Sequence, residues 1–418
     1  MVTDAVRAQY EAYPYPARDP RDEAKRLVTG SPSDLREIDH YLFAGKRDWK
    51  QKFRALVAGG GTGDALVMLA QHLADRACPA ELHYLDLSEA ARKIAEARIK
   101  ARGLERLVTF HNGSLLDVAA VAPGPYDYVD CCGVLHHLAD PLAGLNSLAA
   151  RLAPQGGMGL MVYGTLGRTG VYDAQAMLRA LARDAPDAER LAVARALIRE
   201  LPATNRLRRN PLVGDHLSGG DAGIYDLLLH AQDRAYTVTE FARLIDGAGL
   251  AIASFVEPAR YEPATYLTDR DLLARLAGMG FIERAAFAEL LAGNLKTHVC
   301  YVAPKGRVDA CVARPDDPAA VPYGRDVDFA QIARGMVAGN PVLSASFDGL
   351  TLRMKLPRLA TAILSRIDGR RSLAEIHHAV AASASPGMSW EAFLAEFRLV
   401  YAAFNGVNRM LLRAAAGG

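Results

Sequence analysis

Residues Gly59, Gly60, Gly61 and Gly63 lie in the run AGGGTGD, between the apolar stretch FRALVA and a segment with helical spacing. Glycines at a strand-to-helix turn let backbone N–H groups approach a ligand at the positive end of the helix, with no side chain in the way. A phosphate-cradling loop needs GxxxxGK[ST], and here Asp64 is followed by Ala65 and Leu66, with no lysine. A dinucleotide turn needs GxGxxG, yet counting from Gly59 or Gly61 puts Asp64 or Leu66 at the last glycine. The pattern that remains is GxGxG at Gly59, Gly61 and Gly63. Asp86 ends a second apolar run 23 residues after Gly63, where a carboxylate can accept hydrogen bonds from two ribose hydroxyls. His136 and His137 follow a further apolar run and offer imidazoles able to take a proton near pH 7.

These residues need a scaffold that brings strand ends together. FRALVAG (53–59), AELHYLDLS (80–88), RLVTFHNGS, YDYVDCCGVL (126–135) and MGLMVYG (158–164) read as strands, separated by helical spacing. The segment SEAARKIAEARIKARGL reads as a helix capped by Ser88 and stopped near Gly103. Strands alternating with helices predict an α/β, doubly wound sheet. Beyond Gly164 come a helical, loop-rich stretch, then YTVTEFARLIDGAGL, AIASFVEP and KTHVCYVAPK as a helix and two more strands. The domain expectation is an N-terminal Tyr/Pro-rich lid segment at 1–45 and the sheet domain at 46–304, with helical insertions at about 165–235 and 262–295. A Pro- and charge-rich linker at 305–318 and a small, mainly helical C-terminal domain at 319–418 complete it.

The 418 residues are 50% hydrophobic and 23% charged with net charge +2, enough for a large core and no global signal for nucleic acid or anionic membrane. No apolar run reaches the roughly 18 residues a membrane span needs. No export signal is visible at the N-terminus, and the five cysteines form no CxxC pair. The expectation is a cytoplasmic protein without a metal.

Four segments in order resemble the motifs of class I S-adenosylmethionine-dependent methyltransferases: the GxGxG turn, the strand ending in Asp86, NGS at 112–114, and YDYVDCCGVLHHLADP at 126–141. LAPQGGMGLMVYG is similar to that family's turn into its fifth strand. The resemblance implies a seven-stranded Rossmann-like sheet and S-adenosyl-L-methionine as cofactor, leaving S-adenosyl-L-homocysteine as product. It implies cofactor contacts from Gly59, Gly60, Gly61, Gly63, Asp86, Leu87, Gly113, Ser114, Leu115, Cys132 and Gly133. Two positions depart from the pattern: Val57 where an acidic residue is frequent, and Ser114 where adenine usually meets Asp. Those departures leave open a non-catalytic protein that binds the cofactor, beside an enzyme methylating O, N or C on a small molecule or protein side chain.

Under the same resemblance His136 or His137 is the candidate base, needed only if the acceptor must lose a proton. Tyr10, Tyr13 and Tyr15 are candidates for an aromatic lid attracted to a sulfonium, and Arg168, Tyr172 and His230 for acceptor contacts. QYEAYPYPARDP, GRTGVYDAQ and LLLHAQDRAYTV look similar to bacterial members of the family. IDGRRSLAEI resembles short winged-helix-like modules that bind peptides. The partners expected are therefore a small-molecule or peptide acceptor and a second copy of the chain, with neither nucleic acid nor membrane.

Overall fold

The computed structural model describes residues 2–336 and 341–415. Its sheet is built from β1 (Phe53–Ala58), β2 (Ala80–Asp86), β3 (Val108–Asn112), β4 (Tyr126–Cys132), β5 (Leu152–Tyr163), β6 (Leu250–Phe255) and β7 (Thr297–Pro304). Their order is β3-β2-β1-β4-β5-β7-β6. β1 to β5 pair in parallel, and β7 runs antiparallel to β5. The strand order reverses between β1 and β4, and ligands of doubly wound sheets bind outside the carboxyl ends of the strands at that switch point. β1 is buried at five of its six positions, as a central parallel strand flanked on both faces must be.

Local chemistry sets the connections. α3 (Asp64–Asp75) starts directly after Gly63, and α4 (Glu89–Ala101) is capped by Ser88, whose hydroxyl accepts from the Ala91 N–H. β4 ends at Cys132, three residues before the expected end, because Gly133 takes φ +80° and breaks the strand. β5 begins at Leu152, six residues early, as the LAPQGG run pairs with β4 across a register shift.

The chain forms two compact units. One comprises Met1–Leu35, Trp49–Ala251 and Gly293–Val302; the other comprises Arg36–Asp48, Ile252–Ala292 and Ala303–Gly418. This revises the expected boundaries. Only part of 1–45 belongs with the sheet, and α2 (Leu35–Leu42) packs in the second unit, where Glu37 pairs with Arg325 at 2.6 Å. The stretch 305–318 is no free tether either. Cys311 and Ala313 are buried, and their backbones bond to Ala44 and His40.

The second unit has a core around Phe329, Ile363, Ile376, Phe393, Phe397 and Phe404. It is helical as expected, with a Ser372–Glu375 capping box, but it also holds two antiparallel strand pairs. These are β8 (Val321–Gly324) with β11 (Met410–Arg413), and β9 (Val342–Phe347) with β10 (Leu350–Lys355). Residues 337–340 and 416–418 of the expected C-terminal domain lie outside the described residues. Among the described residues no helix is long and apolar enough to cross a membrane.

Candidate functional site

The glycine turn joins the end of β1 to α3 at the switch point. A Cβ added at Gly60 would lie 2.4 Å from the Tyr84 ring, and one at Gly63 would lie 2.9 Å from the Ala95 Cβ. Those two glycines therefore answer to packing inside the protein. Gly61 differs: φ is +50°, and an added Cβ would meet only the Tyr15 carbonyl oxygen, at 3.0 Å. Its N–H donates to one Asp86 carboxylate oxygen at 2.8 Å, while the Ser88 N–H donates to the other at 2.8 Å. Burial pushes the Asp86 carboxyl up, and these backbone donors oppose the shift. Next along the strand ends, the Asn112 amide donates to the carbonyls of Asp86 and Leu87, tying β3 to β2. Gly113 is open enough that an added Cβ would make only ordinary contacts. The Ser114 hydroxyl caps the next turn by accepting from the Leu116 N–H; Leu115 is buried and Leu116 is 53% exposed.

The N-terminal segment crosses this turn. α1 (Val2–Ala12) was not expected from the Tyr/Pro-rich sequence. The Glu11 carboxylate at its end accepts from the Glu89 and Ala90 N–H groups at the start of α4, a favourable place for negative charge. The Tyr10 carbonyl accepts from the Ser88 hydroxyl, and the Pro16 carbonyl from the Thr62 hydroxyl. Arg18 forks onto Asp64, and Tyr13 stacks on Tyr225 with centroids 4.7 Å apart. Beneath them Glu23 pairs with Arg98 at 2.7 Å, both almost fully buried.

Beyond β4 and β5 lies a buried polar cluster. His137 and His230 stack with centroids 3.8 Å apart, and the backbone of one residue, Gln232, orients both. The His137 Nδ1 faces the Gln232 carbonyl at 2.9 Å, so it carries the proton and Nε2 keeps a free lone pair. The Gln232 N–H donates to the His230 Nδ1 at 3.1 Å, so the neutral His230 ring carries its proton on Nε2, facing the Tyr10 hydroxyl at 3.1 Å. The hydroxyls of Tyr10 and Tyr163 each donate to one oxygen of Asp226, both at 3.2 Å. Burial holds His230 well below the usual histidine range, with His137 adding to the effect. It pushes the Asp226 carboxyl up, against the pull of His137 and Arg168.

The structure thus gathers Tyr10, His136, His137 and His230 and separates their chemistry. His136 is fully buried against the Tyr163 ring, and neither ring nitrogen has a hydrogen-bond partner among the described residues. Burial, followed by the neighbouring His137, holds it neutral. Arg168 is ion-paired with Asp233 at 3.1 Å and lies 3.7 Å from the centre of the Tyr163 ring, with Tyr172 beyond. Its Nη2 is thereby committed to Asp233. Cys132 and Gly133 stand at the end of β4. The sequence reading missed Asp226 and Tyr163. Asp226 sits in a π-helical turn, Tyr225–Leu229, a distortion frequent at functional sites that leaves no periodic signal.

Comparison with known proteins identifies the family. Residues 56–158 match a family described as a methyltransferase domain. The chain is 32% identical over 299 residues to "Uncharacterized protein syc1184_c" of Synechococcus sp., covering 69% of each protein. It is 32% identical over 176 residues to the ubiquinone biosynthesis O-methyltransferase of Thiobacillus denitrificans, 40% of this chain and 68% of that one. The fold matches PKMT2 from Rickettsia typhi in complex with AdoHcy at TM-score 0.59 and 14% identity, across 97% of this chain and 76% of that one. The chain belongs to the class I S-adenosylmethionine-dependent methyltransferases.

Proposed function

We propose that this methyltransferase acts on a hydroxyl or amine, carried by a small molecule or a protein side chain, and that His137 takes the proton the acceptor loses. S-adenosylmethionine supplies a methyl carbon already activated by positive sulfur, which leaves alignment, exclusion of water and the fate of the proton to the protein. The open backbone at Gly61 and Gly113 and the partnerless His136 nitrogens fit a ligand along the strand ends. In this reading the glycine turn holds the methionine part and Asp86 the ribose. Leu87, Gly113, Ser114 and Leu115 border adenine, and Cys132 and Gly133 border the methyl group. Tyr10, Tyr13 and Tyr15 close the crevice and exclude water.

The observation that carries the reading is the His137 ring itself. Its Nδ1 is fixed on the Gln232 carbonyl, so Nε2 is held as an acceptor. A general base needs that arrangement, a set tautomer with the free lone pair in a buried site. The test is methyl transfer from radiolabelled S-adenosylmethionine into fractions of a source-cell lysate, comparing the wild type with His137→Gln. Label should enter a defined fraction with the wild type and fall at least about 100-fold with the variant, the scale of general-base catalysis. Equal labelling by the two proteins would remove His137 from the mechanism.

A further inference from the structure

The carboxylate of Asp226 is 5% exposed and forms no ion pair among the described residues, because the nearby Arg168 is taken by Asp233. Among the described residues its hydrogen-bond donors are two tyrosine hydroxyls, Tyr10 from α1 and Tyr163 from β5. Ligand atoms of His137, Asp226 and His230 lie within 4.8 Å of one another. A buried negative charge is costly unless something positive balances it. Two candidates fit that distance: a metal ion or a proton on His137.

The hydrogen bonds decide between them. A metal-ligating histidine donates its other ring N–H to an acceptor. His137 does so, but His230 accepts a backbone N–H at Nδ1 and must keep its proton on Nε2. His230 is therefore a donor to Tyr10 and no ligand, which leaves a metal ion only two protein groups.

We propose that Asp226 is the positioning residue that balances the imidazolium of His137, and that Tyr10 completes the arrangement only when the N-terminal segment is seated. This rests on His137 being the proton acceptor. The acceptor's N–H or O–H bond breaks, and its electron pair forms the bond to the methyl carbon. The pair of the broken carbon–sulfur bond stays on sulfur, and the proton passes to His137 Nε2. Asp226 is the negative group placed with that ring, Asp233 and Arg168 face Asp226, and Tyr10, His136, Tyr163 and His230 are the rings packed against His137. The base is thereby charge-balanced from the insertion after β5 and from α1 together.

The test needs no acceptor. Full-length protein carrying 13C-labelled histidine is titrated by NMR with S-adenosylhomocysteine bound, and His137→Gln assigns the signal. Removing a facing carboxylate disfavours the charged ring, so Asp226→Asn should move the His137 midpoint down by about one pH unit or more. Tyr163→Phe and Tyr10→Phe should move it the same way by less. Affinity for S-adenosylhomocysteine in Asp226→Asn should stay within about twofold, the size of a change in one weak contact. An unmoved midpoint would overturn the proposal while leaving cofactor binding intact. So would stoichiometric Zn2+ binding that perturbs both His137 and His230 and disappears in Asp226→Asn, because that describes a metal site. Loss of S-adenosylhomocysteine affinity in Asp226→Asn would also overturn it, by assigning the carboxylate to the cofactor.

Discussion

At Gly61 the backbone combines positive φ, an N–H committed to Asp86, and a face covered only by the Tyr15 carbonyl. A valine there meets strain of about 1–2 kcal/mol from the left-handed conformation and also fills the space along the crevice. Gly61→Val should therefore abolish S-adenosylhomocysteine binding, with an unfolding midpoint only a few degrees lower. Normal affinity by calorimetric titration would make the whole glycine run a packing device. Asp86 gives the complementary case. Its position is fixed by two backbone N–H groups, so Asp86→Ala removes the preset carboxylate proposed to hold the ribose. Affinity should fall by about 1.5–3 kcal/mol, the worth of hydrogen bonds to a charged group. An unchanged dissociation constant would place the ribose elsewhere.

Among the elements, the N-terminal segment depends most on a buried charge network. Glu23 accepts from both Arg98 and Arg102, and Arg98 also reaches Asp64, which Arg18 grips from the lid. Removing one member of a buried pair leaves its partner's charge uncompensated, at about 3–5 kcal/mol. Glu23→Ala should lower stability by that order in denaturant titration; a loss under about 1 kcal/mol would show that water screens the network. Sequence legibility varied in the same physical terms. Strands β1 to β5 and helices α3 and α4 were readable because burial on both faces, helical spacing and the Ser88 cap act locally. α1 was hidden by the Tyr- and Pro-rich residues at its end, and Asp226 by a turn with no period. β9 alternates between half-buried and exposed positions, and β8 and β11 are four residues each, too short for a pattern. The glycine turn and the strand end at Asp86 were legible through motif spacing, while the tautomers of His137 and His230 depend on the backbone of Gln232, 95 residues from the former.

For the molecule as a whole, the decisive residues are on α2 and belong to the second unit. His40 is buried and accepts the Leu412 N–H at Nδ1, while its Nε2 faces the Tyr401 hydroxyl at 3.0 Å. Burial lowers its pKa to about 4, against a partial opposing pull from the Leu412 carbonyl. With the folded value below the unfolded value of about 6.5, the unfolded chain binds more protons between them. Stability from this residue is complete above about pH 6.5 and is lost as pH falls towards 4. Melting of the second unit should show that acid limb, and His40→Gln should flatten it; an identical limb in the variant would assign it to other groups. The same contacts govern truncation. Cutting after Lys305 removes Arg325 and Asn408 from Glu37, and Leu412 and Tyr401 from His40. It also removes Gly406, whose α-carbon lies close enough to Ala259 that an added Cβ would sit 3.0 Å away. A chain ending at 305 therefore keeps α2 and residues 252–292 without these contacts, and the buried Glu37 loses both Arg325 and Asn408. Such a chain should be poorly soluble or should melt well below the full-length protein, even though the glycine turn and Asp86 are intact. A soluble truncation that melts like the intact protein and binds S-adenosylhomocysteine equally would show that α2 and residues 252–292 need no partner from the C-terminal half.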